Sequence, residues 1–202
     1  MPPRTSFVIV GARATAGPDF RLDDLPATSG RLDVLLRCVR AGLLFSHGVR
    51  RDVAVYLVLL GGPAAPRALR FTGEDVRFLR PDERSLAVLA QKSLAAPRAG
   101  RGFVAVRPGV AVADGGLDAV LDDLGDAGLW LLDEGGDDLR DADLRAAPRA
   151  FLLGDHTGLD PAARAALDHR PVRRVRVGPV SLHADDVVAV VTNELGRRPP
   201  SA

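Results

Sequence analysis

The sequence predicts an α/β domain built on a mostly parallel sheet flanked by helices. Residues 53–60 form an unbroken apolar run bounded by Asp52 and by Gly61-Gly62-Pro63, the pattern of a strand covered on both faces. Leu32, Leu35, Leu36, Val39, Leu43 and Leu44 recur at three- and four-residue steps, the spacing of one helix face. Segments of these two kinds alternate along the chain, which favours parallel strands joined through helices over an all-β or all-α architecture. At 202 residues the chain can bury a sizeable core in one domain, here residues 1–196, with 197–202 expected to be a disordered tail.

Taken in order, residues 7–10 read as a first buried strand, followed by a Gly/Pro-punctuated loop that ends at Gly30. The first helix follows, with Thr28 or Ser29 available as N-cap and Gly48 near its stop. Its polar face carries Arg31, Arg37 and Arg40. The run at 53–60 is the central strand and residues 69–71 a short one. Pro81-Asp82-Glu83-Arg84 opens a second helix, with proline in the first turn and acids where the helix dipole favours them, and Leu86, Leu89 and Leu94 on its buried face. Residues 95–102 are rich in Pro, Gly and Arg and read as an exposed loop. Residues 103–106, 129–132, 151–153 and 174–177 read as further strands, and 184–195 as a last helix burying Val187, Val188, Val190 and Val191.

Composition narrows the function classes. The single cysteine, Cys38, excludes an intramolecular disulfide framework and a multi-cysteine metal site, and fits a reducing, cytoplasmic setting. It falls at the border of the first helix's apolar face and reads as core filler. No stretch approaches the roughly 20 apolar residues of a membrane span, and the N-terminus lacks the apolar core of a signal peptide. Twenty-seven basic against 26 acidic residues leave a net charge of +1, so only the placement of charge can point to a nucleic-acid partner. His47, His156, His169 and His183 show no metal-ligand spacing, and no metal is expected. Walker A, Gly-x-Gly-x-x-Gly and Gly-x-Ser-x-Gly signatures do not occur.

Two irregular loops remain, each after a buried strand. Gly154-Asp155-His156-Thr157-Gly158 lets the backbone turn sharply and approach a ligand closely, and Val177-Gly178-Pro179-Val180-Ser181-Leu182-His183-Ala184 leads into the last helix. Carboxyl ends of strands in open α/β sheets are where ligands bind, so a backbone-lined cofactor pocket is expected there. Arg31 and Asp33 at the start of the first helix, and Arg50-Arg51-Asp52 before the central strand, could combine phosphate or base recognition with a proton-accepting carboxylate.

Six segments in the same order, Gly30-Arg31-Leu32-Asp33 with Cys38, Ser46-His47, Arg50-Arg51-Asp52-Val53, Pro81-Asp82-Glu83-Arg84, Gly154-Asp155-His156-Thr157-Gly158, and Pro179 with Leu182-His183-Ala184, resemble the archaeal-type tRNA pseudouridine(54) N1-methyltransferases of the SPOUT superfamily. The resemblance covers about residues 7–195. It implies a trefoil-knotted fold, a homodimer and S-adenosylmethionine as cofactor, held by Leu132, Gly154, Val177, Gly178, Pro179, Val180, Ser181, Leu182 and Val187. Val187 stands where the family has a cysteine, and Ser181 where some relatives have an acid. The implied reaction moves a methyl group to N1 of pseudouridine in tRNA. Asp33 or Asp52 would take the proton, with Arg31, Arg50 or Arg51 stabilising the charged base. RNA would approach over Arg31, Arg37, Arg40, Arg50, Arg51 and Arg84, with Arg98 and Arg101 as further contacts. Two readings stay beside this one: a methyltransferase of the same fold acting on another RNA nucleotide, such as rRNA pseudouridine, and a non-catalytic RNA- or ligand-binding dimer.

Overall fold

A computed structural model describes residues 3–98, 100–155 and 157–198. Its frame is an eight-stranded sheet in the order β10-β8-β9-β1-β4-β5-β7-β6. The strands are β1 (Thr5–Thr15), β4 (Val53–Gly61), β5 (Arg67–Thr72), β6 (Val104–Arg107), β7 (Val110–Ala113), β8 (Gly128–Asp138), β9 (Arg149–Gly154) and β10 (Val172–Arg176). A separate hairpin pairs β2 (Leu44–Phe45) with β3 (Gly48–Val49). The helices are α1 (Leu25–Thr28), α2 (Leu32–Leu43), α3 (Glu83–Leu94), α4 (Leu117–Leu124), α5 (Pro161–Leu167) and α6 (Ala184–Arg197). Strands β10, β8, β9, β1 and β4 are mutually parallel, whereas β5, β7 and β6 extend the sheet antiparallel from β4.

Strand alternation divides the core in two, because successive side chains leave opposite faces of a sheet. From β1 and β4, Phe7, Ile9, Val55, Leu57 and Leu59 pack on one face with α2, α3 and α6. Val8, Val10, Tyr56 and Val58 pack on the other with α4 and α5. Burial on both sides explains why these strands read as continuous apolar runs. Phe7, Phe151 and Trp130 form a stacked row across β1, β9 and β8, with centroids 5.8 and 6.4 Å apart, and Arg173 covers the outer Trp130 ring at 4.9 Å. Helix α6 packs across α2, where Val188 and Val191 are buried while Val187 and Val190 are only partly covered.

Several local expectations shift. Helix α2 is capped at Arg31, and Ser29 serves it from two positions further out: its Oγ accepts from the Leu32 N–H at 3.1 Å and donates to the Leu25 carbonyl at 2.6 Å. Gly48 belongs to the β2–β3 hairpin, not to the stop of the helix. Asp82 is the N-cap of α3, accepting from Ser85 N–H at 2.8 Å, so Pro81 lies before the helix instead of in its first turn. Helix α6 runs through Arg197, and Arg198 donates to the carbonyls of Ala142 and Leu139 at 2.6 and 2.8 Å. Residues 197 and 198 of the expected tail thus belong to the described structure, and 199–202 lie outside the described residues. No helix among the described residues is long and apolar enough to cross a membrane.

Candidate cofactor pocket and the arginines beside it

The parallel half of the sheet sets the site. Register pairs Val10 of β1 with Gly154 of β9, and beyond that level the chain leaves the sheet and opens a cavity of about 940 Å³. Leu131 through Glu134 of β8, Leu153 through Asp155, Val175 through Gly178, and Val180 through Val187 enclose it on the sheet side, and Arg31, Val34 and Arg37 of α2 close another wall. This is the carboxyl-end crevice of an open α/β sheet, and its volume falls in the usual range for a small-molecule site.

Hydrogen bonds tie the described residues of the loop after β9 to β1 and to one another. Asp155 N–H donates to the Val10 carbonyl at 2.9 Å, and Gly158 N–H to the Asp155 carbonyl at 2.9 Å. The Asp155 carboxylate accepts from Ala12 N–H at 3.1 Å and from Thr157 N–H and Oγ1 at 2.8 and 2.6 Å, tying β1 to the loop. Gly158 has φ +78°, and a Cβ on Gly154 would lie 2.2 Å from the Gly158 carbonyl carbon, so both positions require glycine. His156, which falls between them in sequence, lies outside the described residues.

A second device orients the arginines. Gly30 and Arg31 both take left-handed backbone conformations, φ 62° and 71°, turning the chain into α2 and folding Arg31 back on Asp33. Arg31 Nε and Nη2 donate to the two Asp33 oxygens at 3.0 and 3.2 Å, and Arg37, one turn later, donates from Nη1 to Asp33 Oδ2 at 3.1 Å. Asp33 is 2% exposed. Arg37 also pairs with Asp185 of α6 and Glu83 of α3, each at 3.5 Å. One buried carboxylate thereby fixes two guanidiniums at the rim of the cavity.

The walls mix apolar and charged groups. Leu132, Leu153, Val187 and the exposed Val180 and Leu182 supply apolar surface. Asp133, Glu134, Asp155, Asp185 and Asp186 supply carboxylates, against the guanidiniums of Arg31, Arg37, Arg164 and Arg176. A hydrogen bond from Arg174 at 2.6 Å, helped by the Gly135 N–H, holds the Asp133 carboxyl below the usual carboxylate range. Among the described residues no cluster of His, Cys, Asp and Glu could hold a metal.

Of the residues expected at a cofactor site, Leu132, Gly154, Val177, Gly178, Val180, Ser181, Leu182 and Val187 line this one cavity, and Pro179 lies in the same loop without lining it. Arg31 and Arg37 join them, and Asp33 stands behind. The second Arg/Asp motif does not. Asp52 sits at the amino end of β4, level with Thr5 and Arg149, while the cavity begins at the level of Val10 and Gly154. Five residues of strand, about 16 Å at ~3.3 Å each, separate the two ends. Within one chain Asp52 is therefore no proton acceptor for this cavity. Arg50 Nη1 donates to the carbonyls of Ala41, Gly42 and Leu44 at 3.3, 3.3 and 2.7 Å, closing the carboxyl end of α2, and Arg51 donates to those of Gly73 and Glu74. Burial pushes the Arg50 guanidinium down from its usual pKa. Arg40 is exposed on α2, and Arg84 is exposed at the start of α3. Arg98 and Arg101 are paired with Asp114 and with Asp118 and Asp122. Cys38 is buried, donates from Sγ to the Val34 carbonyl at 3.4 Å, and has its thiol pushed far above the usual range by burial.

Sequence reasoning did not single out Asp133, Glu134, Arg164 and Arg176. Asp133 and Glu134 follow directly on the apolar 129–132 run, so the carboxyl-end rule applied to that strand would have found them.

A family model described as "Putative SAM-dependent RNA methyltransferase" matches residues 4–199. A protein of Methanococcoides burtonii named tRNA (pseudouridine(54)-N(1))-methyltransferase is 39% identical over 194 residues, covering 95% of this chain and 96% of the relative. One of Halobacterium salinarum with the same name is 41% identical over 191 residues, covering 94% of each. Among solved structures, Nep1 of Archaeoglobus fulgidus, crystallised with S-adenosylhomocysteine, superposes with a TM-score of 0.63 at 18% identity over 98% of both chains, a likeness of fold. The chain belongs to the family of SAM-dependent RNA methyltransferases that this model describes.

Proposed function

We propose that the cavity at the carboxyl ends of β8, β9 and β10 holds S-adenosylmethionine and that the chain methylates N1 of pseudouridine at position 54 of tRNA. The observation that carries this reading is the fixed Arg31–Asp33–Arg37 group on the rim of a cavity of cofactor size, in a chain whose relatives carry that name. The cavity suits the cofactor chemically. Apolar walls at Val180, Leu182 and Leu132 suit a flat heterocycle, and carboxylates at Asp133, Glu134 and Asp185 suit ammonium and sulfonium charge. Gly154 lets the loop close on itself beside the cavity, where a Cβ would meet the Gly158 backbone.

The bound cofactor supplies an activated methyl group on a sulfonium. The chain's own part is placement and charge. The 154–158 loop, braced by Asp155, sets the depth of the cavity floor. Arg31 and Arg37, preorganised by Asp33, face the negative charge that a pseudouridine base carries once its N1 proton has left, and need no rearrangement to do so. Asp33 acts through them as a positioning residue, because its oxygens are already taken by guanidinium N–H groups. Arg40 and Arg84 extend the cationic edge toward flanking phosphates, so tRNA affinity should fall steeply with salt. A homodimer, the trefoil knot and a cytoplasmic location belong to the same reading. The half-covered Val190 on α6 is apolar surface that a second copy would cover.

Nucleoside mass spectrometry of tRNA incubated with the protein and cofactor tests the reaction. N1-methylpseudouridine is the expected product. A ribose 2′-O-methyl product, or none, would refute it.

A further inference from the structure

A second cleft, of about 650 Å³, lies on the outer side of α3. Arg77, Arg80, Arg84, Lys92 and Arg107 line it, all exposed, and among the described residues no acidic one does. Several surface arginines elsewhere are tied to carboxylates, as Arg101 is to Asp118, Arg145 to Asp143 and Arg174 to Asp133. Among the described residues Arg77, Arg80, Lys92 and Arg107 make no ion pair, and the neighbouring Asp82 is engaged as the N-cap of α3. In the midst of these cations stands Phe78, 96% exposed, on a backbone with φ 57° that residues other than glycine seldom adopt. Leu86 and Leu89 of α3 form an apolar floor beneath.

A bare aromatic ring among unpaired cations is the arrangement that binds single-stranded nucleic acid, with a base stacked on the ring and phosphates on the cations. A protein partner would have to bring acidic groups to the same ring of charge, whereas a polynucleotide carries them at every step. The place in the fold also fits. Glu83, at the amino end of α3, reaches Arg37 on the rim of the cofactor cavity at 3.5 Å, and the next residue, Arg84, lines the cleft. An RNA whose target base enters the cavity would carry its neighbouring nucleotides past Phe78.

We propose that this cleft is a docking site for an unpaired nucleotide of the substrate RNA, with its base on Phe78 and its flanking phosphates on Arg77, Arg80, Lys92 and Arg107. The proposal rests on the reading that the substrate is RNA, and it adds a contact outside the methyl-transfer cavity.

Fluorescence anisotropy with a tRNA transcript and with a short oligouridylate tests it, using the full chain and its Phe78→Ala, Phe78→Trp and Arg77→Gln/Arg107→Gln variants across a salt series. Phe78→Ala should weaken binding of both probes by about tenfold, and Phe78→Trp should retain it, since stacking needs only an aromatic face. The double variant should lower the slope of log affinity against log salt by about one to two, the loss of two phosphate contacts. Melting temperature and S-adenosylmethionine affinity should be unchanged in all three. Wild-type affinity and slope in the variants, or no RNA binding by the wild type, would overturn the proposal. So would a change in oligomeric mass on Phe78→Ala with RNA affinity intact, which would make the cleft a contact between copies. Methyl transfer is scored separately. A wild type that binds RNA through the cleft but transfers no methyl group refutes the proposed function and leaves the docking site standing, whereas a methylating enzyme indifferent to all three variants overturns the docking site alone.

Discussion

Gly154→Ala probes the cavity floor with the smallest possible change. The added Cβ would sit 2.2 Å from the Gly158 carbonyl carbon and 2.3 Å from its oxygen, where ordinary contact begins at 3.4 Å. The obstacle is backbone, so no side-chain rotation relieves it, and the 158 end of the loop must retreat by more than an ångström. That retreat strains or breaks the Gly158 N–H bond to the Asp155 carbonyl, worth about 0.5–1.5 kcal/mol, on top of an overpacking cost of about 1–3 kcal/mol. A loss of about 1.5–4.5 kcal/mol lowers the melting temperature by roughly 3–18 °C in a chain of this size. Calorimetric titration should also show S-adenosylmethionine affinity reduced at least tenfold, an effect of about 1.4 kcal/mol or more, because Gly154 and Gly158 both line the cavity. Gly178→Ala is the matched control for stability: its Cβ meets nothing within 4 Å, and melting should stay within about a degree of wild type. Wild-type melting and affinity in Gly154→Ala would refute the steric argument and the placement of the cofactor beside this loop.

Asp33→Asn keeps the shape but releases two guanidiniums. Because Arg31 and Arg37 are each about a third or more exposed, the stability loss should be limited to about 1–2 kcal/mol, while kcat/KM for methyl transfer falls at least about tenfold and cofactor affinity changes little. A proportionate loss of cofactor affinity would move Asp33 into the cofactor site. Asp133, held below the usual carboxylate range by Arg174, contributes stability that is present above its unfolded pKa of about 3.9 and lost as pH falls through the lower folded value. Melting followed from pH 7 to pH 2 should therefore show a shallower acid limb in Asp133→Asn than in wild type. Cys38 should resist maleimide in the native protein and react at once in denaturant, as read by mass spectrometry, because burial keeps the thiolate from forming.

How much was legible in the sequence depended on how far each signal reaches. The 53–60 run and the Leu32-to-Leu43 stripe each report their own burial, and both elements stand close to where pattern alone puts them. The β6–β7 hairpin was half missed: β6 faces solvent along most of its length and β7 is only four residues long, so neither has a clear period. The glycines at 154 and 158 were legible because a strand followed by closely spaced glycines implies a turn. Arg50-Arg51-Asp52 precedes its strand, so the carboxyl-end rule already sets it apart from the cavity, and the parallel registers of β4 with β1 and of β1 with β9 agree. The carbonyls that occupy Arg50 belong to the last turn of α2 and to Leu44 just beyond it, six to nine residues back, a reach that spacing rules do not record. Arg31 and Arg37 were legible as cations, but their meeting on Asp33 depends on a left-handed Arg31 that composition does not signal.

The most direct test of the account compares two tRNA transcripts that differ only at position 54, one with pseudouridine and one with uridine, each incubated with the protein and methyl-labelled S-adenosylmethionine. In uridine N1 is bonded to the ribose and cannot accept a methyl group, whereas in pseudouridine it carries a proton. About one labelled methyl per pseudouridine transcript is expected, and none on the uridine transcript. Equal labelling of the two, or label on neither, would contradict it.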